Sequence, residues 1–262
     1  ALLRVERGPL ARMGERKTGR LPRSRKRDCA SAAGAALLRV ERGPLARMGE
    51  RKTRMPEVVA LVDYGAGNLH SVHNALRKAG ANVCVTDDPN VVRAADRIVL
   101  PGVGSFRACA QGLKAVPHMI EAMTERVHVG GAPFLGICVG MQLLADRGLE
   151  HGTSAGLGWI PGEVRRIEPA DPAIKVPHMG WNDVGLLPHA RDHQVFEGGE
   201  AYFLHSYHFV AERGGDVAAL TDHGEGLVAA VARDTMVGVQ FHPEKSQAFG
   251  LATLERFLAW RP

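Results

Sequence analysis

Between residues 57 and 260 the chain alternates between two hydrophobic patterns. EVVALVDYG (Glu57–Gly65) is an unbroken apolar run closed by glycine, which predicts a strand buried on both faces. The next segment, GNLHSVHNALRKAG, places Leu69, Val72, Ala75, Leu76 and Ala79 at helical spacing and stops at Gly80, as an amphipathic helix does. ANVCVTDD predicts a second strand, and a short helix near Asn90–Ala95 leads to RIVLPGVG (Arg97–Gly104), a strand running into a glycine-rich loop. Helical pattern fills Ser105–Val129 with a break near Pro117, APFLGIC (Ala132–Cys138) is the next strand, and VGMQLLAD the next helix. Alternation of this kind predicts a parallel sheet with helices on both faces. Sites in such sheets lie beyond the carboxyl ends of the strands. PGVG (Pro101–Gly104) and Cys138 both occupy such ends, so the pattern makes them neighbours.

The second half changes character. WIPGEVRRIE, KVPHMGWNDV, EAYFLHSYHFV, DVAALTDHG, GLVAAVAR and MVGVQFHPE are strand-like with short turns between them, and AFGLATLERFLAW (Ala248–Trp260) closes the chain as a helix. The expected fold is therefore α/β: a mostly parallel central sheet with helices on both faces, plus an antiparallel strand portion. No linker interrupts residues 57–260, which predicts one domain over 55–262.

The first 54 residues follow neither pattern. ALLRVERGPLARMGERKT occurs at Ala1–Thr18 and again unchanged at Ala36–Thr53. Two copies are too few for a stacked repeat core, and their dense charge with few large apolar residues reads as a basic, disordered extension. The chain has 33 Lys/Arg against 28 Asp/Glu, but residues 1–54 hold 16 and 5 of these, leaving 17 and 23 in the rest. The basic balance thus belongs to the extension, and the folded part gives no reason to expect nucleic acid as a partner. RSRKR (Arg23–Arg27) is either a localisation or anion-binding patch or simply a solvated stretch. No apolar run approaches the ~20 residues of a membrane helix. Four cysteines (Cys29, Cys84, Cys109, Cys138) without a CxxC pair argue against a zinc site and a disulfide framework, and fit a reducing, cytoplasmic setting.

Three segments carry candidate chemistry. Cys138 sits between Gly136 and Gly140 at a strand-to-helix corner, the arrangement of a nucleophile elbow, where small neighbours relieve crowding. The following helix would aim its N-terminus at the thiol, and the Val139 N–H could bind an oxyanion. Taken alone the corner leaves nucleophile and buried core thiol evenly matched. QFHPEKS (Gln240–Ser246) shifts that balance: His242 and Glu244, two apart in extended chain, would face one side as a base and its orienting carboxylate. PGVG is either a second oxyanion donor or a strand-ending turn. DYGAGN (Asp63–Asn68) has His70 where a dinucleotide loop needs its third glycine, so no nucleotide cofactor is expected.

Together GICVGMQ and FHPE resemble the nucleophile and His/Glu motifs of the class I, triad-type glutamine amidotransferases. DYGAGNLHSV, LPGVGSF, GICVGMQLL, GLGWIPG, KVPHMGWN, YFLHSYHF and QFHPEKS resemble, in order, the segments of one branch of that family, the glutaminase subunits that serve a cyclase in histidine biosynthesis. KVPHMGWN is the segment that separates this branch from members serving other acceptors, which are the alternative. The resemblance implies a flavodoxin-like fold and glutamine as substrate, with Cys138, His242 and Glu244 as the catalytic triad. It implies oxyanion and substrate contacts at Gly102, Val103, Val139, Gln142, Glu150, Ser206 and Tyr207. It also implies a heterodimer with a (β/α)8-barrel cyclase subunit, docked near Lys175, Pro177, His178, Met179, Trp181 and Lys245, with neither metal nor cofactor.

Overall fold

The computed structural model describes residues 57–262; the basic repeat at 1–54 lies outside the described residues. The first half builds the predicted alternation. Strand β1 (Val58–Val62) is buried throughout, and helix α1 (Leu69–Lys78) packs Leu69, Val72 and Leu76 against the sheet. Arg77 and Lys78 stand in its last turn, where cations complement the helix dipole, and Gly80 at φ +92° ends it in the left-handed region. Strand β2 (Asn82–Thr86) follows. Helix α2 (Pro89–Ala94) starts at Asp88, whose carboxylate accepts from the Asn90 N–H, with Pro89 at its first position. Strand β3 (Arg97–Gly102) leads to α3 (Phe106–Ala115), capped by the Ser105 hydroxyl, and then to α4 (Met119–Thr124), which continues as a π-helical turn, Glu125–Val129.

Strand β4 (Phe134–Cys138) is buried along its length and runs into α5 (Val139–Gln142), a single turn. The eight-residue helix expected here is thus cut to four, because the chain turns back at once through Leu143–Ala145 into the short strands β5 (Arg147–Gly148) and β6 (Ser154–Ala155). Strand β7 (Gly162–Arg166) follows, then β8 (His178–Leu186), β9 (Gly199–His205) and β10 (Tyr207–Ala211). Strands β11 (Val217–Asp222), β12 (Gly226–Arg233) and β13 (Met236–Val239) precede the closing helix α6 (Gln247–Ala259).

Among the described residues the strands form two sheets. The larger has the order β2-β1-β3-β4-β13-β12-β11-β8-β9; it is parallel from β2 to β13 and antiparallel beyond. The smaller, β10-β7-β5-β6, is not foreseen by the sequence pattern. YFLHSYHF reads as one strand but breaks at Ser206, so that β9 joins the large sheet and β10 the small one. The segment before β1 and the end of α6 are tied together by Arg97, which is 2 % exposed. Its guanidinium pairs with Glu57 at 3.2 Å and donates to the carbonyls of Phe257 (2.9 Å) and Trp260 (2.8 Å) at the end of α6.

Cys109 and Cys138 are free thiols. Cys84, on the edge strand β2, is disulfide-bonded, which departs from the expectation of a chain without disulfides. No helix among the described residues is long and apolar enough to cross a membrane.

Candidate active site

β3 and β4 pair in parallel with Gly102 opposite Cys138, so the PGVG loop and the thiol do lie side by side. Cys138 takes φ +54° and ψ −113°, a backbone state that a residue with a side chain adopts at a cost and that marks a strained corner. The corner closes because its neighbours lack side chains. A Cβ on Gly140 would strike the Leu100 carbonyl oxygen, and one on Gly102 would sit 2.7 Å from the Gly140 nitrogen. Tyr64 buttresses the loop from behind, its hydroxyl donating to the Pro101 carbonyl at 2.6 Å. The single-turn length of α5 leaves little helix dipole at the thiol, so the electrostatic argument from a long helix does not hold here.

On the other side of β4, β13 pairs Val239 with Ile137, which brings the chain after β13 past Cys138. His242 Nδ1 lies 3.0 Å from Glu244 Oε1, and both side chains are buried. The pairing matches the expectation but not its geometry: Pro243–Lys245 coil into a 3-10 turn instead of continuing extended, and that turn folds the carboxylate back onto the ring. Three hydrogen bonds pin the turn. Ser246 Oγ donates to the His242 carbonyl at 2.7 Å and accepts from the Tyr202 N–H at 2.9 Å, while the His242 N–H donates to the Tyr202 carbonyl. Burial would lower the His242 pKa, but hydrogen bonds to Cys138 and Glu244, and their charges, outweigh it and carry it to about 9. The protonated ring is thus favoured beside a Cys138 thiolate and the Glu244 carboxylate, an arrangement suited to taking the thiol proton.

Cys138 and His242 open into a cleft of about 480 Å³ that Val103, Val139, Gln142, Glu150, Ser206 and Tyr207 also line. A hollow of about 580 Å³ between Lys114 and Val129 is larger, but its lining has neither cysteine nor serine. Gln142 spends both amide hydrogens inside the protein, on the Tyr207 carbonyl and on Gln240 Oε1, each at 2.9 Å. Its Oε1 is thus the end left for a ligand. Glu150 also braces the fold. Its Oε2 accepts from the Phe106 N–H at 2.7 Å at the start of α3, and its Oε1 lies 3.9 Å from His151 Nε2.

The KVPHMGW segment divides by strand alternation. Met179 (65 % exposed) and Trp181 (47 %) project outward from β8, next to Leu204 (38 %) on β9. Lys175 and Pro177 are exposed as well, and Pro177 reaches the cleft. His178, by contrast, points inward: it is 3 % exposed and hydrogen-bonds His205 at 3.0 Å and Asn182 at 3.0 Å. Lys245 is exposed, with Nζ 5.5 Å from the Tyr202 ring centre. Residues that the motif reading missed are Gln240, Ser246 and Tyr64. Gln240 carried a signal, being a lone amide in the apolar run that ends β13, two residues before His242.

Residues 60–259 match the family described as glutamine amidotransferase class-I. The chain is 57% identical over 207 residues to imidazole glycerol phosphate synthase subunit HisH of Zymomonas mobilis, covering 78% of this chain and 96% of that one. It is 51% identical over 213 residues to the protein of the same name in Caulobacter vibrioides, covering 79% and 100%. Among solved structures, a glutamine amidotransferase aligns with TM-score 0.59 at 17% identity, over 76% of this chain and 98% of that one. PurLQS from Thermotoga maritima aligns with TM-score 0.58 at 18% identity, over 78% and 98%.

Proposed function

This chain belongs to the class-I glutamine amidotransferase family, and on that premise we propose that it is the glutaminase subunit of imidazole glycerol phosphate synthase, with Cys138, His242 and Glu244 as its catalytic triad. The observation that carries the mechanism is the strained Cys138 corner sharing one cleft with His242, whose ring Glu244 holds from behind.

The Cys138 thiol gives its proton to His242, and the sulfur attacks the side-chain amide carbon of glutamine. The oxyanion that develops is held by the N–H groups of Val139 and of the Gly102–Val103 stretch. His242 passes that proton to the departing ammonia, and the γ-glutamyl thioester is left on Cys138. His242, now neutral, takes a proton from water, which attacks the thioester and releases glutamate. Glu244 keeps the ring oriented throughout. Gln142, Ser206 and Tyr207 hold the substrate, and Glu150 offers its Oε1 to the substrate ammonium.

The chain works with a partner subunit, as its relatives' names say of them. We take that partner to be a cyclase with a (β/α)8 barrel, which receives the ammonia and forms imidazole glycerol phosphate and aminoimidazole carboxamide ribonucleotide. Exposed Met179, Trp181 and Leu204 beside the cleft mouth support docking there, with Lys175, Pro177 and Lys245 around them. Residues 55–262 form the amidotransferase domain, and the setting is the cytoplasm. The test is a glutaminase assay with and without the cyclase and its nucleotide substrate. Low activity alone and strong stimulation in the complex are expected; full activity of the isolated chain, unmoved by the cyclase, would overturn the assignment.

A further inference from the structure

The sulfur of Cys138 has a second polar neighbour besides His242. Gln240 is fully buried, and its Nε2 lies 3.6 Å from Cys138 Sγ, within hydrogen-bonding range for sulfur. Which end of an amide faces a neighbour is settled by the network around it. Here the network has one fixed point, the Tyr207 carbonyl, which can only accept. Gln142 must present Nε2 to it, at 2.9 Å. The other Nε2 hydrogen of Gln142 then needs an acceptor, and Gln240 supplies Oε1 at 2.9 Å. That leaves Gln240 Nε2, a donor, for the sulfur.

The same carbonyl fixes a second branch. His205 Nδ1 lies 2.9 Å from it and must carry the hydrogen, so His205 Nε2 accepts from His178 Nδ1 at 3.0 Å. His178 Nε2 then accepts from Asn182 Nδ2 at 3.0 Å, and Asn182 Oδ1 is free to accept from the Asp183 N–H. Every donor meets an acceptor from β8 to the nucleophile. Burial, reinforced by His223 and other nearby histidines, lowers the pKa of His178 to about 4 and of His205 to about 3, so both rings stay neutral, as this pattern needs.

We infer that Gln240 is a positioning residue for the nucleophile: its amide, turned by Gln142 and the Tyr207 carbonyl, donates to the Cys138 sulfur and holds it toward His242. The inference rests on Cys138 being the nucleophile. A thiolate gains more from such a donor than a thiol does, so Gln240 acts where the charge is. The titratable groups around the sulfur are His242 and, through space, Tyr64 and Cys109. None of them is touched by changing Gln240.

The test uses the two-subunit enzyme with Gln240→Met, which keeps the volume and removes the donor, and Gln240→Glu, which puts a carboxylate against the sulfur. Glutaminase kcat is expected to fall about tenfold in the first, the size of one lost hydrogen bond, with KM for glutamine nearly unchanged, and further in the second. Alkylation of Cys138 by iodoacetamide, followed against pH, should move its midpoint upward in both; a packing defect alone would not shift it. In the unsubstituted enzyme with nitrogen-labelled glutamine side chains, one Nε2 resonance should move when Cys138 is alkylated. That measurement stands even if a variant fails to fold. Unchanged kcat and midpoint in a folded Gln240→Met protein, or no Nε2 response, would overturn the inference. Loss of activity in Cys138→Ala alongside those results would leave the nucleophile assignment standing; retained activity in Cys138→Ala would remove both.

Discussion

Cys138 stands between two kinds of neighbour. On the side of β3 and α5 it is held by backbone: Gly102, Gly136 and Gly140 allow the strand end and the turn to approach so closely that no side chain fits. On the side of β13 and β9 it is met by side chains: Gln240, His242, Glu244 and, through Gln142 and Tyr207, His205. The first side is steric and tolerates no added atom. The second is polar, built from side chains whose hydrogen-bonding groups substitutions can remove one at a time. Shape and chemistry are thus separated in this site: shape comes from the parallel half of the sheet, chemistry from the chain that returns after the antiparallel half.

Substitutions on the two sides should fail in different ways. His242→Ala is expected to lower glutaminase kcat by about a thousandfold or more and to leave the protein folded, with the stability it loses confined to the pH range in which the ring is charged, below about 9. An equal loss of stability at alkaline pH would break the distinction. Gly140→Ala should fail on both counts, because the new methyl group meets the Leu100 carbonyl: about 3 kcal/mol or more of stability is lost, and the corner that presents Cys138 is lost with it. A fully active, stable Gly140→Ala protein would show that the corner has slack. Arg97→Met, far from the cleft, serves as the control. It removes charged donors from two buried carbonyls and should cost about 2–3 kcal/mol by denaturant titration, with activity per folded molecule unchanged.

The smallest effect separates the two groups of histidines by pH. His242 has its folded pKa raised from 6.5 to about 9, so its contribution to stability is full below about 6.5 and is lost as pH rises through about 9. His178 and His205 are depressed to about 4 and about 3, so their contribution is full above about 6.5 and is lost as pH falls toward those values. Unfolding free energy measured across this range should therefore decline at both ends. His205→Gln should flatten the acid limb and leave the alkaline limb in place. An unchanged acid limb would contradict the neutral pairing of His178 with His205.

The parallel half was legible because continuous apolar runs such as Val58–Val62 and Phe134–Cys138 are buried on both faces and end in glycine or at a glycine-flanked corner. Cys138 and the His242–Glu244 pair were legible as residue types at strand ends. Three things were hidden. The shortness of α5 depends on the turn at Leu143–Ala145, where apolar residues continue the helical pattern although the chain has left the helix. The split at Ser206 lies inside a run whose β character does not change, so only tertiary pairing reveals that β9 and β10 belong to different sheets. The inward face of His178 follows from strand register: Met179 and Trp181 share one face and His178 the other, and the sequence alone does not say which is covered.

The mechanism stands or falls on Cys138 carrying the glutamyl group. Rapid quenching of the two-subunit enzyme during glutamine turnover, followed by mass spectrometry of its peptides, reads this out. A γ-glutamyl adduct is expected on the peptide bearing Cys138, more abundant when the nucleotide substrate of the partner is present and absent in Cys138→Ala. Turnover of glutamine with no adduct on that peptide, or with an adduct on another residue, would contradict it.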